Sequence, residues 1–300
     1  MTARSPLGWG KRYLMCPAQH FGVLYEINPW MNRAVPVDPD TTLSEWTAVV
    51  DALRQAGAEV ETLDPVEGLP DMVFTANAGF VWGDRFVPSR FRHAERSGEE
   101  RHFKRWFRAR GSAVTELPGR PFFEGAGDAL PFGDRVVAGY RIRSEFDSHT
   151  SLATELGVQV LSVELVDQRF YHLDLTFCPL DERRALIVPD AWDAYGRAVV
   201  ESLVPEPIVL TPDEALSFCA NSVVVGDVIV MPSCTGRLER ELRRSGLQVA
   251  VTPVGEFLKA GGGVRCLTLP LDAGPSDGRI GIVGRPTEED EDGEGAGRRG

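Results

Sequence analysis

Apolar and polar positions along this chain repeat one pattern, in which two apolar stretches flank a short polar turn. In four places the turn is a Gly-Asp or Asp-Glu pair, and these pairs fall about 45 to 50 residues apart. Apolar stretches on both sides of such a pair predict two antiparallel strands joined by a tight turn. The four predicted hairpins cover residues 80–89, 130–139, 178–189 and 223–232.

A helix and a further strand are predicted between successive hairpins. Residues 97–111 and 233–246 carry apolar side chains at helical spacing and end on glycine, a common residue at helix C-termini. Residues 43–57 form a similar amphipathic segment. The strands expected after the helical stretches lie at 58–63, 113–118, 158–165, 207–211 and 248–254. The pattern therefore predicts about five ββαβ units of about 45 to 55 residues each.

The two ends of the pattern indicate how these units are arranged. A strand region lies near the N-terminus, and an apolar stretch at 264–271 follows the fifth unit as a last strand. A solenoid would need capping repeats, whereas a last strand that joins the first unit would close a ring. We therefore predict a single α/β domain, a five-fold pseudo-symmetric ring of ββαβ units. Closure would place the starts of all five units around one central cavity.

Composition narrows the class of protein. The chain has 300 residues, of which 43% are apolar and 25% charged, as in soluble globular proteins. Its net charge of −12 argues against a general nucleic-acid binder, which would carry a basic patch. No run approaches 18 apolar residues, so no membrane span is expected. Residues 274–300 are acidic and hold few apolar side chains, which predicts a disordered tail.

The cysteines indicate a reducing compartment. Their number is odd and their spacings match no zinc-ligand pattern, so no metal site is expected. No other cofactor is predicted. The N-terminus lacks the apolar segment of a signal peptide, which favours a cytoplasmic protein with reduced thiols. A homo-oligomer stays an open option. The five cysteines are Cys16, Cys178, Cys219, Cys234 and Cys266.

Polar residues stand at the start of several predicted hairpins, where apolar residues would form a core. His172 and Asp174 lie in the segment "FYHLDLTFC". In a strand, residues two apart face the same side, so the imidazole and the carboxylate are expected to point together. A carboxylate beside an imidazole raises the imidazole pKa and fixes its orientation. The motif is short, and a structural ion pair at a sheet edge is the alternative.

Glu124 and Asp128 occupy the equivalent place in the segment "FFEGAGDAL". The two glycines between them permit a bulge or a close approach of the backbone. Because the flanking residues are strongly apolar, the two acids are expected to face one pocket. The alternative is a turn whose acids are solvated.

Two further segments repeat this arrangement with amides. Asn77 lies between alanines in "PDMVFTANAG", and Asn221 lies in "SFCANSVVV". A buried side-chain amide needs hydrogen-bond partners, so both are candidates for the central site. Asp71 follows a proline in the first of these segments, where a turn is the alternative role.

Cys266 differs from the other cysteines because it follows three glycines and an arginine in "GGGVRCLT". Most free cysteines are ordinary core residues, and Cys178, Cys219 and Cys234 fit that role. The glycines before Cys266 leave room for a ligand to reach its thiol. A nucleophilic thiol, whose pKa is ordinarily about 8.5, must also be activated by a nearby cation or by a cationic substrate.

Taken together, these residues resemble those of the guanidino-group-modifying superfamily, which includes the amidinotransferases and the dimethylarginine dimethylaminohydrolases (dimethylargininases). The resemblance covers about residues 12–272 and rests on the ordered set of Glu124, Asp128, His172, Asp174 and Cys266. It implies the five-fold α/β propeller called the pentein fold. It also implies a catalytic domain at 12–272 that hydrolyses non-peptide C–N bonds of linear amidines.

The resemblance assigns roles to individual residues. Cys266 would attack the guanidinium carbon to give a covalent thiouronium adduct, and His172 would act as general acid and then as general base. Glu124 and Asp174 would hold the guanidinium. Other positions expected to bind or orient the substrate are Asp71, Asn77, Asp128, Asn28 and Asn221, with Arg143 on the substrate α-carboxylate.

The segments 15–31 and 70–81 resemble the arginine dihydrolase branch in particular. Dimethylargininases and arginine deiminases usually carry a carboxylate where this chain has Asn77. The expected substrate is arginine or an N-methylated arginine, giving citrulline or ornithine with ammonia or a methylamine. Two alternatives stay open: an amidinotransferase with an amine acceptor, and a non-catalytic binding protein of the same fold.

Overall fold

Five small sheets of one design make up the part of the chain that the computed structural model describes, residues 7–274. In each sheet one strand pairs antiparallel with the middle strand, which pairs parallel with a third. The tail predicted at 274–300 lies outside the described residues, apart from Gly274. The strands are β1 (Arg12–Met15), β2 (Glu59–Thr62), β3 (Gly79–Trp82), β4 (Arg85–Pro88), β5 (Ala113–Val114), β6 (Ala129–Phe132), β7 (Arg135–Tyr140), β8 (Gln159–Glu164), β9 (Phe177–Pro179), β10 (Ala185–Ile187), β11 (Ile208–Val209), β12 (Val223–Val225), β13 (Val228–Met231), β14 (Gln248–Val251) and β15 (Leu269–Pro270).

Four of the sheets contain the predicted hairpins, and the fifth joins the two ends of the described chain. The hairpin sheets have the strand orders β3-β4-β5, β6-β7-β8, β9-β10-β11 and β12-β13-β14. In the remaining sheet, β15 pairs antiparallel with β1, with Leu14 opposite Leu269. The last strand therefore completes the first sheet, as predicted from 264–271, although only Leu269–Pro270 of that stretch is a strand.

A helix connects the middle strand of each sheet to its third strand, as the pattern predicted. The first of these helices begins with Pro39 and is capped by Asp38, whose side chain accepts a hydrogen bond from the Thr41 amide at 2.7 Å. Short helices precede several strands. The helices are α1 (Pro39–Gln55), α2 (Glu100–Ala109), α3 (Gly125–Asp128), α4 (Phe146–Leu156), α5 (Ala194–Leu203), α6 (Pro212–Leu216), α7 (Gly236–Arg244) and α8 (Gly255–Leu258). The 3₁₀ segments are Pro70–Val73, Thr75–Ala78, Ala94–Glu99, Leu173–Leu175 and Pro189–Ala191.

Burial explains why the hairpins gave the clearest signal in the sequence. Every residue of β3, β6 and β12 is buried, so these strands are continuous apolar runs. The third strands β2 and β14 have exposed residues at both ends. The first strand of each hairpin thus lies toward the interior, and the segment just before it is buried too. Within residues 7–274, no helix is long and apolar enough to cross a membrane.

Candidate active site

The polar residues singled out in the sequence lie in the short segments that enter these interior strands. Asn77 precedes β3, Glu124 and Asp128 precede β6, and His172 and Asp174 precede β9. Asn221 precedes β12, and Cys266 precedes β15. Each of these side chains is at most 3% exposed. Hydrogen-bond distances link residues from all five segments, so the predicted convergence of the unit starts is confirmed.

The Cys266 thiol lies between a carboxylate and an amide. Its Sγ is 3.4 Å from Asp174 Oδ2 and 3.2 Å from Asn221 Nδ2. Burial, reinforced by the neighbouring Asp174 charge, raises the pKa of the Cys266 thiol well above its usual value. Burial also raises the pKa of Asp174 to about 7, although the Arg265 guanidinium opposes this. In the unliganded protein, sulfur therefore carries its proton at neutral pH.

The carboxylate beside the His172 imidazole is Glu124, and the prediction that Asp174 would be its partner is wrong. His172 Nε2 lies 2.8 Å from Glu124 Oε2. The chain is extended at His172 but turns into the 3₁₀ segment Leu173–Leu175, so the two-residue alternation of a strand does not hold. Asp174 consequently turns toward Cys266 instead.

Arg143 is buried against Glu124, and this explains the charge of that carboxylate. Its Nη1 donates to Glu124 Oε2 at 3.1 Å, its Nη2 donates to the Ile27 carbonyl at 2.9 Å, and its guanidinium lies 4.6 Å from the Tyr171 ring centroid. Burial alone would raise the pKa of Glu124, but Arg143 and the hydrogen bond with His172 hold it well below its usual range. Glu124 is therefore an ionised carboxylate inside the protein.

Asp128 supports the site from behind. Its Oδ2 accepts from the Ser144 hydroxyl at 2.6 Å, and its Oδ1 accepts from the Leu173 amide at 3.1 Å. The second bond holds the segment that carries His172 and Asp174. Burial raises the pKa of Asp128 to about 6. Both acids are buried, but their contacts differ: Glu124 contacts His172, whereas Asp128 is engaged by the protein on both of its oxygens.

A buried ion pair between Arg96 and Glu99, which the sequence did not suggest, fixes the orientation of the Asn77 side-chain amide. Arg96 donates from Nε and Nη2 to the two Glu99 oxygens, both at 2.9 Å, and from Nη1 to Asn77 Oδ1 at 2.7 Å. The Asn77 Nδ2 is thereby left facing His172 Nδ1 at 3.5 Å. Arg96 and Glu99 lie in the polar stretch "AERSGEE", which resembles an exposed helix start. The polar residues of this stretch do not alternate with apolar ones, so the sequence did not indicate that Arg96 and Glu99 are buried.

Asp71 and Asp174 each keep one buried carboxylate oxygen without a hydrogen-bond partner. These atoms are Oδ1 of both residues. Burial raises the pKa of Asp71, while Arg96, whose Nε is 4.0 Å from Asp71 Oδ2, and the neighbouring Tyr25 hydroxyl oppose the shift. Buried acceptors without a partner are costly, and carboxylate oxygens match the N–H fork of a planar cation. Among the described residues, no group of three or more His, Cys, Asp or Glu side chains could hold a metal ion.

The side chains packed against the loop before Cys266 leave no room for a Cβ at its glycines. Gly261 has φ +81°, and a Cβ there would lie 2.9 Å from Asn28 Oδ1. A Cβ on Gly263 would lie 2.7 Å from Asn221 Oδ1. Asn28 also donates from Nδ2 to the Ala260 carbonyl at 2.9 Å, so it holds the glycine loop. The prediction that Cys266 sits in a strand is wrong, because the chain turns at 264–267 before β15 begins.

Comparisons with known proteins identify proteins that are similar to this chain. The family model described as "N,N dimethylarginine dimethylhydrolase, eukaryotic" matches residues 30–272. The bifunctional arginine dihydrolase/ornithine cyclodeaminase AgrE of Nostoc sp. is 46% identical over 263 residues, which cover 86% of this chain and 37% of that protein. The dimethylarginine dimethylaminohydrolase of Mycobacterium tuberculosis is 38% identical over 261 residues, which cover 87% of this chain and 86% of the relative. The chain thus spans just over a third of the length of the cyanobacterial relative.

Solved structures show the same similarity. The N-terminal domain of ArgZ, an arginine dihydrolase from cyanobacteria, superposes with a TM-score of 0.84 at 44% identity, covering 88% of this chain and 98% of that one. That structure is a cysteine-to-serine mutant bound to substrate. A second structure of this domain, an asparagine-to-serine variant with the same scores, is covalently bound to a reaction intermediate.

Proposed function

We propose, from the premise that this chain belongs to the dimethylarginine dimethylaminohydrolase family, that it is a cysteine-dependent hydrolase of the guanidinium group of arginine or an arginine derivative. The observation that carries the proposal is the buried convergence of Cys266, His172, Glu124 and Asp174 from separate units. We further infer that the five sheets surround this site as a propeller, the pentein fold. The catalytic domain would then be residues 12–272.

Substrate recognition follows from the unpaired carboxylate oxygens. A guanidinium ion is planar, permanently charged and rich in N–H donors, and it pairs best with carboxylates. Asp174 and Glu124 would hold the reacting end, and Asp71 Oδ1 offers a further acceptor. Arg143 would turn from its present partner Glu124 toward the substrate α-carboxylate.

The substrate itself would activate the nucleophile. In the unliganded site the Asp174 charge raises the pKa of the Cys266 thiol. A guanidinium bound to Asp174 neutralises that charge and adds its own, so both changes favour the thiolate. Catalysis would therefore begin only when a cation occupies the site, which protects the thiol at other times.

The covalent steps then follow from the positions of the side chains. The Cys266 thiol releases its proton to solvent as the cation binds, and the resulting thiolate attacks the guanidinium carbon and forms a tetrahedral intermediate. The C–N bond to the departing amine breaks as His172 delivers a proton to that nitrogen, leaving a thiouronium adduct on sulfur. His172 next removes a proton from water, which attacks the same carbon and expels the thiolate. Glu124, 2.8 Å from Nε2, stabilises the charged imidazole in between.

Within this reaction class we favour arginine dihydrolysis, in which arginine and two waters give ornithine, carbon dioxide and two ammonia molecules. Support comes from the uncharged Asn77, because a neutral amide tolerates the ureido group of citrulline better than a carboxylate would. The similarity to arginine dihydrolases points the same way. An amidinotransferase would need an amine acceptor in place of water, and product formation without added amine would exclude it.

The test uses purified protein incubated separately with L-arginine and with asymmetric dimethylarginine, with every product identified by mass spectrometry. Ornithine from arginine supports the dihydrolase, and citrulline with dimethylamine from the methylated substrate supports a dimethylargininase. If neither substrate is consumed, the proposed function is wrong.

A substitution tests the role of the amide in the second hydrolysis. Asn77→Asp keeps the oxygen that accepts from Arg96, and we expect it to lower the ornithine-to-citrulline ratio at least roughly tenfold. The control is Asn32→Asp, which adds the same charge at an exposed position. An unchanged ratio in Asn77→Asp would show that the amide does not select the second step.

A further inference from the structure

Asn221 contacts Cys266 through both atoms of its side-chain amide, which a residue that only binds substrate would not require. Its Oδ1 accepts from the Cys266 amide at 3.2 Å, while its Nδ2 lies 3.2 Å from Cys266 Sγ and 3.2 Å from the Asp174 carbonyl oxygen. Its own carbonyl accepts from the Arg265 amide at 3.2 Å. The side chain is fully buried.

These partners determine which atom of the amide faces sulfur. The Cys266 main-chain N–H can only donate, so it requires an oxygen opposite it. The Asp174 carbonyl can only accept, so it requires the NH₂ group. The group pointing at Sγ is therefore an N–H donor. A neutral thiol gains little from such a donor, whereas a thiolate gains a charge-assisted hydrogen bond.

The backbone around Asn221 is shaped to hold this amide in place. Phe218 adopts φ +59°, which is unfavourable for a residue with a side chain, and its carbonyl accepts from the Asn221 amide at 2.9 Å. On the other side, a side chain at Gly263 would collide with Asn221 Oδ1. The turn before β12 and the glycine loop before β15 are thus fitted to one another through Asn221.

Other groups near sulfur act in both directions, and among them the buried Arg265 guanidinium opposes the raised pKa of Asp174. The Asp174 carboxylate, 3.4 Å away, disfavours a second negative charge, and Tyr171 is a further titratable group beside it. The Gly263 main-chain amide acts on sulfur in the same favourable sense as Asn221. Among the described side chains, Asn221 is the hydrogen-bond donor that contacts Sγ.

We propose that Asn221 is a catalytic residue that donates a hydrogen bond to the Cys266 thiolate and holds sulfur in position for attack, in place of the substrate-binding role expected from the sequence. This inference rests on the proposed function, in which Cys266 is the nucleophile. The amide compensates for Asp174, which must stay close to bind the guanidinium. Asp174 thus keeps the thiol protonated until a cation arrives, and Asn221 then stabilises the charge that develops on sulfur.

The experiment measures the alkylation rate of Cys266 by iodoacetamide as a function of pH, without substrate. Because the chain has other cysteines, modification is followed on the peptide that contains Cys266 by mass spectrometry. The variants are Asn221→Ala, which removes the amide, and Asn221→Asp, which keeps the acceptor for the Cys266 amide. The control is Ser222→Ala, which removes a neighbouring hydroxyl whose partner is the Cys219 carbonyl.

For Asn221→Ala we expect alkylation at pH 8 to slow roughly 10- to 100-fold and the rate profile to shift to higher pH, because a thiolate loses one charge-assisted hydrogen bond. Asn221→Asp should shift the rate profile further toward high pH. If the alanine variant does not fold, the aspartate variant alone decides the question. Ser222→Ala should match the parent. The proposal would be overturned if the alkylation profiles of both Asn221 variants superposed on that of the parent. It would also be overturned if the variants raised the KM for substrate and left kcat unchanged.

Alkylation also separates this inference from the proposed function. If Cys266→Ser still turned over substrate, the hydrolase mechanism would fail, yet the effect of Asn221 on thiol reactivity would still be measured. If Cys266→Ser were inactive and the alkylation profiles were unchanged, the mechanism would stand and the role of Asn221 would be wrong.

Discussion

Replacing Asp174 by asparagine should make the protein more stable while abolishing its chemistry. Burial raises the pKa of Asp174 from 3.8 to about 7, so its ionised form is disfavoured inside the protein. Between these two pKa values, Asp174 is therefore protonated in the folded chain and ionised in the unfolded chain. In that interval the parent loses stability as the pH rises, and an asparagine removes this loss.

The magnitude follows from the shift. A displacement of about three pKa units corresponds to ~4 kcal/mol of unfolding free energy. The new amide places N–H groups near the position of Asp174 Oδ1, which has no hydrogen-bond partner, at a cost of about 1 to 3 kcal/mol. Asp174→Asn should therefore be less stable than the parent near pH 4, by up to about 2 kcal/mol, because the electrostatic gain is still small there. It should be more stable by about 1 to 3 kcal/mol at pH 8.

Urea denaturation followed by tryptophan fluorescence, at several values between pH 4 and pH 8, measures both proteins. The exposed Asp51→Asn is the control and should show no comparable pH-dependent gain. The decisive quantity is the difference between variant and parent, which must grow as the pH rises. A difference that stays constant with pH, or that falls, would refute the electrostatic reasoning even if activity were lost.

Two further substitutions test the remaining parts of the site. Cys266→Ser should abolish turnover and the covalent adduct seen by intact-protein mass spectrometry, with the unfolding free energy within about 1 kcal/mol of the parent; residual turnover would contradict its role as nucleophile. Glu124→Gln leaves the buried Arg143 without its carboxylate, so urea denaturation should show a loss of about 3 kcal/mol. Since Glu124 has a lowered pKa, it stabilises the parent at neutral pH, and this contribution disappears in acid, where the variant should approach the parent.

The repeat could be predicted from the sequence because its strongest elements are local. A Gly-Asp turn between two apolar strands needs only neighbouring residues, and Gly83, Gly133 and Gly226 all adopt positive φ there. The outer strands were predicted too long, as for 113–118, where only Ala113–Val114 pairs. Their ends are decided by where the neighbouring middle strand stops, and that depends on contacts between distant residues.

The site could be predicted as a set of residues but not as a set of contacts. Polar side chains in apolar segments marked Asn77, Asn221 and Cys266, because burial without partners is unfavourable. The predicted partner of His172, Asp174, was wrong because the chain forms a 3₁₀ turn where a strand was expected. Arg96 was missed because a charged residue in a polar stretch is usually solvated. Its burial depends on Glu99 and Asn77, which only the fold brings to it.

The balance of charge at the site explains why a cation is the expected ligand. Five buried carboxylates lie around the centre, and four of them have raised pKa values, with Glu124 as the exception. The four with raised pKa values are Asp71, Glu99, Asp128 and Asp174. Arg96 and Arg143 compensate mainly Glu99 and Glu124, and the buried Arg265 acts on Asp174, so the five carboxylates outnumber the three guanidinium groups around them.

A guanidinium would add a further positive charge, and the unpaired oxygens of Asp71 and Asp174 would accept its hydrogen bonds. A further carboxylate at position 77 would strengthen the hold on a cation but would disfavour a neutral intermediate product. With Asn77, the site would bind a cation through the other acids and would still accept a ureido group. The same amide that limits the excess of negative charge would then permit hydrolysis to continue from citrulline to ornithine.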